Sequence, residues 1–179
     1  MLAGPVLMCA LLLGVAGLAK LLAPTPTRAA LYAMGLPSAT AVVVVLGLAE
    51  VALAVTVFVL GGAGPAAGVA VAYAGFAGFV AWGRHTGRLT ACGCFGEAGT
   101  QPHAVHVGFN VVAAIVGLAA VVAPVPAIDS VVADQPWFGL PFGGLVALGT
   151  FLSYAVLTAL PAALAYGTPR STTAPGAAR

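Results

Sequence analysis

Five long, mainly apolar stretches govern what this chain can become. They run over residues 4–22, 41–60, 65–82, 104–123 and 142–166. Each is close to the roughly 20 apolar residues a helix needs to cross the hydrocarbon of a bilayer. Charged residues make up only 6% of the sequence and hydrophobic ones 61%, whereas a soluble domain carries about 25% charged residues. At 179 residues a soluble fold has too little interior to hide that much apolar surface. An open strand in lipid would leave its backbone groups unpaired, so each stretch is expected to be helical. The fold class is therefore all-α: a polytopic membrane bundle, with a four-helix core and a fifth transmembrane helix. The net charge of +2 gives no case for a nucleic-acid partner; the partner this composition implies is the lipid bilayer.

The first stretch has no basic residues ahead of it, and Lys20 lies at its far end. It reads as a retained helix rather than a cleaved signal. Pro161 falls inside the fifth stretch and predicts a kink or an early end there. Residues 167–179, dominated by Pro, Ser, Thr and Ala without pattern, read as a disordered tail. No internal repeat and no second domain is evident.

Basic residues give the orientation. With five crossings, Lys20, Arg28, Arg84, Arg88, Arg170 and Arg179 all map to the side opposite the N-terminus, while Asp129 and Asp134 map to the N-terminal side. The excess of Lys and Arg on cytoplasmic loops then predicts an outside N-terminus and a cytoplasmic C-terminus in the cell membrane. Removing Arg84 and Arg88 from the count leaves the same sign. Gly68, Gly75 and Gly78 put small residues along the third stretch, as expected where membrane helices pack closely. Trp82, at its end, reads as an interfacial anchor.

The segment LTACGCFGEAG, residues 89–99, joins the third and fourth stretches and holds two of the three cysteines, Cys92 and Cys94. A disulfide needs Cα atoms about 4.4–6.8 Å apart. Cysteines two apart reach that only across a bent backbone, for which Gly93 supplies freedom. Such a bond staples no distant parts of the chain, and strain makes it easy to reduce, a property of labile and catalytic disulfides. Arg84, His85 and Arg88 lie close in sequence, and nearby positive charge favours the attacking thiolate. Redox chemistry is one reading. A metal site is another: Cys92, Cys94, His103 and His106 make a conceivable tetrahedral zinc set, or a thiolate site for monovalent copper, although C-x-C is not the usual finger spacing. Inert loop thiols are the third. Cys9 lies in the first stretch, roughly 20 Å away at 1.5 Å per helical residue, and reads as a small apolar filler outside the site.

Three polar residues stand within the apolar stretches. Glu50 is near the middle of the second, where a carboxylate costs a few kcal/mol and generally has a partner or a task. Lys20, near the end of the first, can snorkel to the interface or reach toward Glu50. Asn110, about two turns into the fourth, can act as interhelical glue or bind a polar ligand.

With these residues in view, the chain resembles a known family. GLAKLLAP around Lys20, LGLAEVALAV around Glu50, and CGCFG followed by a helix bearing Asn110 are similar to the methylamine utilisation protein MauE family, within the wider DoxX-like membrane proteins. The resemblance covers roughly residues 4–123, and CGCFG is its most specific part. It implies a core domain over residues 1–123, followed by a loop and an additional transmembrane helix over 124–166. The family role implied is maturation of the methylamine dehydrogenase small subunit, a disulfide-rich extracytoplasmic protein, alongside a thioredoxin-like partner. Carried over, Cys92 and Cys94 are the redox pair, with Lys20, Glu50 and Asn110 as supporting polar positions. The sequence departs from the family at HVGFN, where Arg commonly precedes the Asn.

The expected function is thiol–disulfide exchange through Cys92 and Cys94, a thiol-disulfide oxidoreductase if the exchange is catalytic. Its cofactor would be the redox-active disulfide itself. A lipid quinone would serve as terminal acceptor, although no residue pattern demands one. The competing classes are a metal-binding or transport protein using the C-x-C motif and a non-catalytic membrane scaffold subunit.

Overall fold

The computed structural model describes residues 2–89 and 103–166. Cys92, Cys94 and the C-terminal tail expected to be disordered lie outside the described residues. In order, the elements are α1 (Ala3–Leu22), α2 (Pro24–Ala33), α3 (Thr40–Leu60), α4 (Ala63–Thr86), α5 (Ala104–Val122), α6 (Ile128–Ala133), a short 3-10 turn (Pro136–Gly139) and α7 (Leu140–Tyr166). The described residues contain no strand. Five helices, α1, α3, α4, α5 and α7, are long and apolar enough to cross a membrane, so the molecule is an all-α polytopic bundle.

Two antiparallel pairs form the core, α1 with α3 and α4 with α5. Along the first pair the contacts descend in register: Gly14 meets Ala54, Gly17 meets Glu50 and Val51, and Leu21 meets Gly47. At the crossing, a Cβ on Gly17 would stand 2.7 Å from the Gly47 carbonyl oxygen, and one on Gly47 would stand 2.9 Å from that of Gly17. Only glycine lets the two backbones approach this closely, and van der Waals contact at such positions drives helix association in lipid. α7 packs against α1, with Gly149 beneath Met8 and Phe142 beside Gly4.

The expected packing stripe on α4 is corrected. Gly68 does meet an α3 side chain, Leu53, but a Cβ on Gly75 or Gly78 would meet nothing within 4 Å. α3 and α4 touch far less than the two main pairs do, so the later part of the stripe faces open space. Pro161 does not end α7 early: the helix continues to Tyr166. The loss of one hydrogen bond is tolerated in a transmembrane helix because neighbouring groups re-satisfy the freed backbone.

Two short helices had no hydropathy signal. α2 opens on Pro24 and carries Pro26 in its first turn, where a missing N–H costs nothing and the fixed φ suits the helix. α6 is a six-residue helix, with Asp129 in its first turn, before the 3-10 turn. α4 ends on a left-handed glycine, Gly87 (φ +65°), which turns the chain so that Leu89 covers Gly83. Trp82 is half-exposed near this end, in keeping with an interfacial anchor.

Candidate functional site

The two charges inside the bundle meet. Lys20 Nζ donates to Glu50 Oε2 at 2.8 Å, and both side chains are almost fully buried, at 4% and 3% exposure. A side chain on a helix leans toward the N-terminal end, so Lys20 turns back into the bundle rather than out to the interface. Its ammonium lies 3.4 Å from the Ala16 carbonyl oxygen and 5.5 Å from the centroid of the Phe76 ring. Of the two courses open to Lys20, snorkelling is the one not taken. Glu50 Oε1 is buried with no hydrogen-bond partner.

Asn110 and His106 share the same end of α5. Asn110 Nδ2 donates to the His106 carbonyl oxygen at 2.7 Å. His106 Nδ1 accepts the His103 backbone N–H at 3.2 Å, and His103 Nδ1 accepts that of Val105 at 3.3 Å. The two imidazoles thus cap the helix that receives the C-G-C segment. In a neutral ring, an accepting Nδ1 places the proton on Nε2, and His106 is further tied by a hydrogen bond to the backbone of Leu157. Among the described residues, no group of three His, Cys, Asp or Glu side chains is placed to hold a metal ion; the sulfur half of the expected metal set lies outside them.

Sequence reasoning missed Tyr73. It is buried at 3% exposure, and its hydroxyl donates to the Cys9 carbonyl oxygen at 2.7 Å. Phe76 and Phe109 meet its ring edge-on, with centroids 6.0 and 6.2 Å away. A tyrosine in the middle of an apolar stretch was the available signal, since a buried O–H finds a partner. Cys9 is buried in the core, as its filler role requires.

A cavity of about 30 Å³ joins these groups, lined by Lys20, Tyr73, Phe76, His106, Asn110 and Leu157 of α7. That is room for about two water molecules, within walls that are apolar apart from Lys20, Tyr73, His106 and Asn110. Lys20 and Phe76 also line a larger space of about 380 Å³ on their other side, between α2, α3 and α4. The structure therefore brings Lys20, Asn110 and His106 to one small cavity, with Glu50 held against Lys20 outside its walls, and it places the ends of the C-G-C segment at Leu89 and His103.

Fold and polar centre together define a multi-pass helical membrane protein with a buried ion pair behind a loop-bearing helix hairpin. The sequence model of the methylamine utilisation protein MauE family matches residues 1–123, and the chain belongs to that family. No curated protein and no solved structure matches it.

Proposed function

We propose that this protein exchanges thiols and disulfides through Cys92 and Cys94 in support of a disulfide-containing client, in the family setting the methylamine dehydrogenase small subunit. The observation that carries this reading is the family match across the whole of the C-G-C hairpin. In the dithiol form, the thiolate of one cysteine attacks a partner disulfide; a mixed disulfide forms and one partner thiolate leaves. The second cysteine then attacks the mixed disulfide and releases the other partner thiolate. The partner gains two electrons, and Cys92 and Cys94 become a disulfide; the reverse sequence oxidises the partner. A thioredoxin-like protein is the natural relay. Lys20, Glu50 and Asn110 act as positioning residues: Lys20 and Asn110 line a cavity with His106, and Glu50 holds Lys20. Residues 1–123 are the exchanging unit, and 124–166 add a supporting helix.

Replacing Cys94 by Ser leaves Cys92 able to attack but not to be resolved, so a covalent adduct with a thioredoxin-like protein accumulates in cells. If Cys94 is the attacker, Cys92→Ser traps the adduct instead. Failure of both variants to trap a partner while both retain function would overturn the reading.

A further inference from the structure

α7 carries a backbone carbonyl that its own helix cannot satisfy. In an α-helix the C=O of one residue receives the N–H four residues further on. The group due to pair with the Leu157 carbonyl is therefore the nitrogen of Pro161, which has no hydrogen. The proline ring also crowds the carbonyl four residues before it. Leu157 and Pro161 are both buried, and a buried acceptor left unmade is costly. α7 nevertheless continues through Pro161 to Tyr166.

His106 of α5 supplies the missing donor. It is 3% exposed, lines the small cavity together with Leu157, and is hydrogen-bonded to the Leu157 backbone. Its Nδ1 already accepts the His103 N–H, so the proton that reaches the carbonyl is the one on Nε2. The His106 carbonyl in turn receives the Asn110 amide. One imidazole thus joins two places: His103, where the chain leaves the C-G-C segment and enters α5, and the proline-freed position of α7. α5 and α7 otherwise touch little. Leu157 and Pro161 lie beyond residue 123, where the family match ends, so half of this joint is outside it.

We propose that His106 is a positioning residue for Cys92 and Cys94: it fastens the end of the C-G-C segment to α7 through the carbonyl that Pro161 releases. The chemical consequence rests on the thiol reading of the two cysteines; the fastening itself does not. α7 thereby acts on the thiol pair without touching it, by fixing where the segment re-enters the bundle.

Two measurements on the full chain in phosphatidylcholine nanodiscs test the two parts separately. The first is a melting cycle of His106→Leu and Pro161→Ala. In the parent, His106→Leu is expected to lower the melting temperature by about 4 °C or more, the effect of orphaning a buried carbonyl. Pro161→Ala returns an N–H to the Leu157 carbonyl. In that background the same replacement is expected to lower the melting temperature by less than about half as much, since loss of the His103 contact is common to both and cancels. Equal drops would overturn the fastening. The second measurement is the rate at which the reduced chain reacts with 4,4′-dithiodipyridine, in a Cys9→Ala background so that only Cys92 and Cys94 report. His106→Leu is expected to change that rate roughly threefold or more, through the thiols' surroundings. Pro161→Ala is expected to move it as well, by letting the restored N–H compete for the carbonyl, although alanine favours the helix and the melting temperature does not fall. Thr150→Val removes a buried hydroxyl bonded within α7 to the Val146 carbonyl and is expected to leave the rate unchanged. A rate unmoved by Pro161→Ala would overturn the positioning role even if His106→Leu failed to fold. A rate moved equally by Thr150→Val would overturn it too, since any disturbance of α7 would then serve. The reagent reads the thiols themselves, so failure to trap a protein partner would sink the exchange reading and leave these outcomes decisive for His106.

Discussion

At the residue scale, the Lys20–Glu50 pair decides most. Both groups are dehydrated, and a buried pair is sensitive to the loss of either member, because the survivor keeps its charge without compensation. Glu50→Gln is expected to cost about 3–5 kcal/mol, read as a lowered melting temperature in detergent. Lys20→Met combined with Glu50→Leu is expected to recover most of that loss, since two apolar side chains of similar volume replace a buried pair at little cost. A double variant as unstable as the single one would show that the pair does more than satisfy itself. Tyr73→Phe removes the hydroxyl bonded to the Cys9 carbonyl and is expected to cost about 1 kcal/mol by the same melting assay. The pair was half legible in the sequence: a carboxylate in an apolar stretch needs a partner, and Lys20 stood among the candidates. That Lys20 reaches Glu50 rather than the interface was not legible, because it depends on how α1 and α3 cross.

At the element scale, the five long helices were legible because an apolar run of bilayer length has one stable outcome. Their faces were not. Gly17 and Gly47 form the tightest crossing of α1 with α3, yet nothing in a small-residue pattern separates them from Gly75, which faces a groove. Gly17→Ala is expected to destabilise by about 1–3 kcal/mol, the typical cost of overpacking, while Gly78→Ala, with nothing near its Cβ, is expected to melt like the parent. Identical melting of the two variants would show that the α1/α3 contact yields easily. α2 escaped notice because prolines read as loop residues, although both of them sit where a helix start accepts them.

At the scale of the whole molecule, the fifth long helix extends beyond the family match, which stops at residue 123, but it is not an appendage. Leu157 lines the small cavity beside Lys20 and Asn110, and Val146, Thr150 and Leu157 are buried. Removing residues 135–179 is expected to lower the melting temperature even though the four remaining long helices insert, a result checked by melting the truncated and full chains side by side. Burial of Lys20 also takes it out of the charge asymmetry that sets orientation, yet Arg28, Arg84 and Arg88 stay on the side opposite the N-terminus. With a cytoplasmic C-G-C segment, a membrane-impermeant maleimide added to intact cells leaves Cys92 and Cys94 unlabelled and reacts after permeabilisation; labelling from outside would reverse the orientation. The ion pair also imposes an order on biogenesis. Glu50 follows Lys20 by 30 residues, so at roughly 5–20 residues per second the ribosome delivers the counter-charge about 1.5–6 s later. Until α3 arrives, the Lys20 ammonium has no counter-charge and its place is the interface, which it reaches by snorkelling from the last turn of α1. The inward turn of Lys20 is thus a late event, completed only when α1 and α3 lie side by side.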